Sequence, residues 1–186
     1  MHDEKQIIER CLKQDRLAQK QLYDLYSGRL FVVALRYMKD EDEAQDVLQD
    51  AFIKVFKYLD TFRADSPIEV WLRKIVVNTA LKALKRKSNL TLALDGDHMI
   101  NHEYHHQNLG FENLSLQHLL KMIGDLPEGC RTVFNLYAID GYKHNEIADM
   151  LGVTEGTSKS QYSRAKGLLQ EKLRNGVLDI KPQNVE

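Results

Sequence analysis

The chain has 186 residues, of which 43% are hydrophobic and 28% charged, a balance that fits one globular domain or two small ones and excludes a disordered polymer. A net charge of -1 gives no global preference for a polyanionic partner, and two cysteines make neither a disulfide framework nor a CxxC metal site. The longest apolar run, Leu30 to Leu35, is far too short to span a bilayer, and "MHDEKQIIERCLKQD" holds no apolar signal core. The expectation is a cytoplasmic chain without membrane insertion, with Cys11 and Cys130 packed as small buried residues.

With 10 glycines and 3 prolines, breakers are few and helix is the default. Helical periodicity begins in residues 5–37 with Ile7, Ile8, Leu12, Leu22, Leu25, Tyr26, Leu30 and Phe31. It is clearest over 41–60, where Ala44, Val47, Leu48, Ala51, Phe52, Val55, Phe56 and Leu59 follow three- and four-residue steps. The turn "DTFRADSP" ends that helix, and Ser66 with Pro67 predicts the start of another carrying Ile68, Trp71, Leu72, Ile75, Val76 and Leu84. From 91 to 113 no period holds and polar residues dominate. Periodicity resumes at Leu114, stops at Pro127 and continues through "CRTVFNLYAIDG" to two more helices, Lys143–Leu151 and Glu155–Leu173. The predicted fold is all-α. Two small helical domains, 1–90 and 114–176, are joined by a flexible linker at 91–113 and followed by a tail at 177–186.

The stretch "HNEIADMLGVTEGTSKSQYSRAKGLL" has helix-turn-helix spacing. Ala148 is small where two helices cross, Gly152 can take the positive φ of a tight turn, and Thr154 can cap the second helix. That second helix carries only a thin stripe, Ser158, Tyr162, Ala165 and Leu169. Its other sides offer Lys159, Ser160, Ser163, Arg164 and Lys166, groups able to bond base edges or phosphates in a major groove. From Thr154 to Arg174 five bases face two acids. A solvated surface helix would look similar in charge alone; the turn, the thin stripe and the basic excess together point to nucleic acid.

Charge is also segregated earlier in the chain. Residues 40–60 hold seven acids against Lys54 and Lys57, whereas 70–87 hold six bases and no acid. Signs sorted onto consecutive helices suggest two different partners, one of them a nucleic acid.

Two blocks, "DEDEAQDVLQDAFIKVFKYLDTFRADSPIEVWLRKIVVNTALKALKRK" and "LPEGCRTVFNLYAIDGYKHNEIADMLGVTEGTSKSQYSRAKGLL", resemble the extracytoplasmic-function (ECF) sigma factors of the sigma-70 family. The first is similar to the family's polymerase-binding and -10-reading region, the second to its -35-reading region. The resemblance implies a sigma subunit that binds core RNA polymerase through the β′ clamp region and the β flap, recognises promoter DNA and takes an anti-sigma factor as partner. No cofactor, metal or catalysis is implied. Carried over residue by residue, Asp46, Gln49 and Asp50 would bind polymerase. Phe62, Arg63, Asp65, Lys74, Asn78, Lys82, Lys85 and Arg86 would serve the -10 element, and Thr157, Lys159, Ser160, Ser163, Arg164 and Lys166 the -35 element. Two positions depart from the family pattern: Ser158 stands where many members have Val, and Lys82 where many have Asp.

Several residues have plainer readings. Trp71, among Ile68, Leu72 and Ile75, is expected in the core rather than stacked on a base. Asn78 is the best polar candidate on its helix, with capping or solvation as the alternative. His98, His102, His105, His106 and His118 gather near the linker, and His102 with His106 has i,i+4 spacing. No Cys or HExxH pattern accompanies them, so metal is not expected. Rival functions are a stand-alone helix-turn-helix regulator and a zinc hydrolase built on those histidines.

Overall fold

The computed structural model describes residues 2–38, 40–87 and 114–178. The linker expected at 91–113, with four of the five histidines, lies outside these residues. Regular structure among the described residues is entirely helical. The chain divides into two compact units, Met1–Arg86 and Lys87–Glu186.

In the first unit the periodicity of residues 5–37 is carried by two helices, α1 (His2–Leu12) and α2 (Arg16–Leu35). The break has a local cause. Gln14 adopts a left-handed backbone (φ 59) and its N–H bonds the Cys11 carbonyl, while the Asp15 carboxylate accepts the Leu17 and Ala18 amides at 2.9 and 3.2 Å and starts α2. Helix α3 (Glu41–Tyr58) begins at Asp40, whose carboxylate accepts the Glu43 amide at 2.8 Å. A 3-10 turn (Leu59–Thr61) and a bent segment, 62–67, lead to α4 (Ile68–Lys87). Pro67, expected inside this helix, sits just before it and accepts the Val70 amide.

The core of this unit is built mostly from the predicted stripes, although Leu12 and Leu25, placed on the first of them, are exposed, and the buried Leu35 was not among them. Leu22, Leu30, Leu35, Leu48, Val55, Ile68, Leu72 and Val76 are all buried, and the Tyr23 ring packs 4.7 Å from that of Phe52. Polar groups tie the helices at defined heights. The Tyr26 hydroxyl donates to Glu4 at 2.8 Å, the Lys54 ammonium to Thr79 at 2.9 Å, and Thr79 in turn to the Ile75 carbonyl.

The second unit contains α5 (Leu114–Gly124), α6 (Glu128–Phe134) continuing into a π turn (Asn135–Ile139), α7 (His144–Leu151) and α8 (Glu155–Leu178). Helix α8 runs past the expected end at Leu173. Leu126 in the turn before α6, Cys130 on α6 and Ala165 on α8 form one core cluster, flanked by Phe134, Leu168 and Leu169. The buried Arg131 guanidinium donates to the Gly124 carbonyl at 3.0 Å, satisfying a C-terminal carbonyl of α5 that the helix itself leaves open. Lys172 pairs with Asp125 at 2.8 Å and pins the far end of α8. Among the described residues no helix is long and apolar enough to cross a membrane.

Two predictions follow from the first unit's packing. Burial, together with the hydrogen bond to Glu4, pushes the Tyr26 phenol up to about 12. Its folded pKa therefore exceeds the unfolded value of about 10, so its contribution is complete below pH 10 and is lost between pH 10 and 12. Tyr26→Phe should cost about 1 kcal/mol at neutral pH and shrink the alkaline loss, read by urea unfolding at pH 8 and pH 11. Ala64, in the turn before α4, holds a left-handed backbone (φ 57) that L residues resist. Ala64→Gly should be tolerated, whereas Ala64→Val should cost about 1 kcal/mol more than Ala in the same unfolding assay.

Candidate nucleic-acid and polymerase interfaces

The helix-turn-helix is assembled by local chemistry. The Glu146 carboxylate accepts the Lys143 amide at 2.7 Å and opens α7. Gly152 closes it with φ 75, and the amides of Gly152 and Val153 both return to the Ala148 carbonyl. The Thr154 hydroxyl accepts the Thr157 amide at 3.0 Å, capping α8. Ala148 is buried at the crossing.

Helix α8 buries Ser158, Gln161 and Ala165 and leaves Lys159, Ser160, Ser163, Lys166 and Gly167 exposed on the other side. Gln161 is thus not a surface group: its side-chain carbonyl accepts the Cys130 thiol at 3.0 Å. Burial raises that thiol's pKa. Ser158 is fully buried, and its hydroxyl meets His144 Nδ1 at 2.9 Å, so a side chain on the partner helix accounts for a polar residue where an apolar one is commoner.

The six -35 candidates differ in their surroundings. Thr157 is partly buried within the cap network, and the Ser160 hydroxyl donates to the Thr157 carbonyl at 2.9 Å. Lys159 pairs with Glu155 at 2.7 Å, and this hydrogen bond holds the Glu155 carboxyl below its ordinary pKa. Such an exposed pair contributes little stability, so Lys159 can be recruited to a phosphate at small cost. Lys166 lies 5.7 Å over the Tyr162 ring. Ser163 is exposed, whereas Arg164 is partly buried at the border of the two faces and already engaged in an interaction.

On α4, Lys74, Asn78, Lys82 and Lys85 recur at steps of four, four and three residues along one exposed ridge, with Arg86 exposed beside it. Trp71 lies one turn before Lys74 on the same side. It is only partly buried, contrary to the expected core position, because its ring edges the ridge and packs 5.6 Å from Phe62. Phe62 is correspondingly half-covered rather than free, while Arg63 and Asp65 are exposed in the strained turn around Ala64. The -10 candidates therefore gather on one basic ridge and the turn at its N-terminal end.

On α3, Asp46, Gln49 and Asp50 are exposed opposite the buried Val47, Leu48, Ala51 and Phe52. Ile53 was missed by the sequence reading. It is 66% exposed and, at three, four and seven residues from those polar groups, shares their face. The signal was available: Ile53 is apolar but falls off the three-and-four stripe. The acid cluster also has a structural component, since Asp40 is a cap and Glu41, Asp42 and Glu43 occupy the first turn, where the helix dipole favours negative charge.

Of the histidines near the linker, His118 is described, and it is exposed. Among the described residues no three His, Cys, Asp or Glu side chains are grouped to hold a metal ion.

Comparison with known proteins agrees with this layout. Residues 22–89 match the family model for sigma-70 region 2, and residues 116–169 that for sigma-70 region 4. The ECF RNA polymerase sigma-E factor of Escherichia coli is 30% identical over 178 residues, covering 90% of this chain and 93% of that protein. The RNA polymerase sigma-H factor of Pseudomonas aeruginosa is 29% identical over 181 residues, covering 92% and 94%. Among solved structures, the sigma factor RpoE in complex with the anti-sigma factor NepR from Bartonella quintana gives a TM-score of 0.53 at 28% identity, covering 83% of this chain and 96% of that one. CnrH in complex with the cytosolic domain of CnrY, at 23% identity and a TM-score of 0.50, covers 91% and 96% and shows the shared fold alone. With both regions in order and homology along nearly its whole length, the chain belongs to the extracytoplasmic-function sigma factors of the sigma-70 family.

Proposed function

We propose a division of labour for this sigma factor in which three exposed faces serve three contacts during promoter-specific initiation. Its role is to join core RNA polymerase in the cytoplasm, recognise promoter DNA and assist melting at the -10 region; the reaction itself belongs to the polymerase. The observation that carries this reading is the pairing, in one chain, of a basic ridge on α4 with a helix-turn-helix whose second helix exposes a polar, basic face. A regulator acting without polymerase would need only the second of these, and region 2 over residues 22–89 would have no purpose in it.

The α3 face is the polymerase-docking surface. Asp46, Gln49 and Asp50 supply charge and hydrogen-bonding groups for a basic helical partner, the β′ clamp region, and Ile53 supplies an apolar centre that a docked partner would cover. The α4 ridge follows the DNA backbone with Lys74, Lys82, Lys85 and Arg86. The turn holding Phe62, Arg63 and Asp65, with Asn78 nearby, receives an unpaired -10 base. The exposed side of α8 enters the major groove of the -35 element while the β flap holds the second unit. The residues 1–90 and 114–176 thus act as the polymerase/-10 and -35 modules. An anti-sigma factor, the class of partner seen with RpoE, would hold the chain inactive by covering such faces.

Asp46→Lys combined with Asp50→Lys should weaken binding to core polymerase at least tenfold while leaving the thermal unfolding of the free chain unchanged, since both side chains are exposed. A pull-down titration against core enzyme checks this, and unchanged affinity sinks the α3 assignment.

On α8 the residues should divide by what they touch. Arg164→Ala should lower transcription and relax preference at one or two -35 positions, at about 1–3 kcal/mol of discrimination for a bidentate contact to guanine. Lys166→Ala should weaken all promoters nearly equally, as expected of a phosphate contact. Transcription from a library of randomised -35 elements separates the two outcomes.

A further inference from the structure

The crossing of α7 and α8 contains a polar and aromatic cluster that no DNA or polymerase contact explains. Ser158, fully buried on α8, bonds His144 Nδ1 at 2.9 Å from the first turn of α7. The His144 ring is stacked on Tyr137 of the π turn, with centroids 4.2 Å apart and planes 12° from parallel. Tyr137 in turn lies 4.6 Å from the ring of Tyr162, one turn after Ser158 on α8, and Tyr162 lies 5.8 Å from His144. Three elements thus converge on one imidazole, and two of its contacts are to α8.

Apolar contacts at a helix crossing tolerate small slides because dispersion is non-directional. A hydrogen bond does not, since its strength falls away outside a narrow range of distance and angle. Arg164 lies six residues beyond Ser158, about 9 Å along the axis. A tilt of about 10° about Ser158 would displace it by roughly 1.5 Å, more than the spread of about 2.7–3.2 Å within which a base-edge hydrogen bond is made.

We propose that His144, through its hydrogen bond to Ser158 and its stack on Tyr137, is a positioning residue that sets the angle of the -35 recognition helix and thereby the promoter preference of this sigma factor. The inference rests on the reading of α8 as the -35 helix. The π turn has a place in this arrangement: it brings Tyr137 against the imidazole, and the next ring, Tyr162, lies under Lys166. His144 acts here through α8 and not through the groove.

The test uses holoenzyme reconstituted from core polymerase and the full chain, transcribing a library of randomised -35 elements. Four variants are compared with wild type: Ser158→Val, His144→Phe, the two combined, and Arg164→Ala. The measured quantity is the ratio of transcription from the preferred -35 element to that from elements with one base pair changed. Partial unfolding lowers both terms alike and leaves this ratio unmoved. Each single change at the crossing removes the hydrogen bond, His144→Phe by stranding the buried Ser158 hydroxyl and Ser158→Val by leaving the half-buried imidazole without this partner. Each should compress the ratio by about threefold to tenfold, the range expected for one net hydrogen bond. The double variant, which puts an apolar pair at the crossing, should recover most of it. If Arg164→Ala alters preference while both single crossing variants keep the wild-type ratio, or if the double variant equals the product of the singles, the positioning role is overturned. If none of the four, Arg164→Ala included, changes preference, the -35 reading of α8 itself fails.

Discussion

A hydroxyl sealed between two helices must find a partner or cost the stability of a stranded polar group, and in this chain that requirement falls on Ser158. The partner is an imidazole on the preceding helix, and the imidazole is itself confined by two tyrosine rings. Much of the second unit's geometry follows from satisfying that one group. The tight turn at Gly152 brings α7 and α8 close enough for it. The π turn places Tyr137 behind it, and the Cys130–Gln161 bond repeats the same logic one turn later on the α6 side. Among its residues of described burial, helix α8 buries only Ser158, Gln161 and Ala165 and so has little apolar area to hold it. Directional bonds supply what area cannot, and the opposite side is left free to carry Lys159, Ser160, Ser163 and Lys166.

The first unit solves a different problem with different means. Helix α4 is covered on most sides by apolar contacts, and the polar ties Lys54–Thr79 and Arg29–Glu69 fix its height against α3 and α2. Its exposed residues include a ridge of Lys74, Asn78, Lys82 and Lys85, bordered by the half-buried pair Phe62 and Trp71, with Val70 and Arg86 also exposed. Positive charge on one ridge of a well-packed helix keeps a spacing that is set by the core behind it. The turn that feeds the ridge keeps Ala64 in a conformation L residues resist, so its shape is imposed by the elements it joins.

Charge is distributed according to two separate causes. The acids at the start of α3 answer to the helix dipole and to capping, whereas Asp46 and Asp50, further along, have no local structural duty. They flank Ile53, an apolar side chain left in water. A nearly neutral net charge therefore conceals one acidic and two basic faces on separate helices.

The all-α class, the stripes of α3 and α4, the Gly152 turn and the Thr154 cap were legible in the sequence, because periodicity, positive φ and capping depend on residues a few positions apart. The acidic and basic helices were legible for the same reason: charge on a helix is a local property. The identities of the groups that meet across elements were not. Trp71 read as core, Ile53 went unnoticed, and His144 carried no signal at all. Each of these depends on which side chain a distant helix presents, and on whether water is excluded there. A buried polar group is tolerable only once its partner arrives, and only the tertiary structure decides that partner.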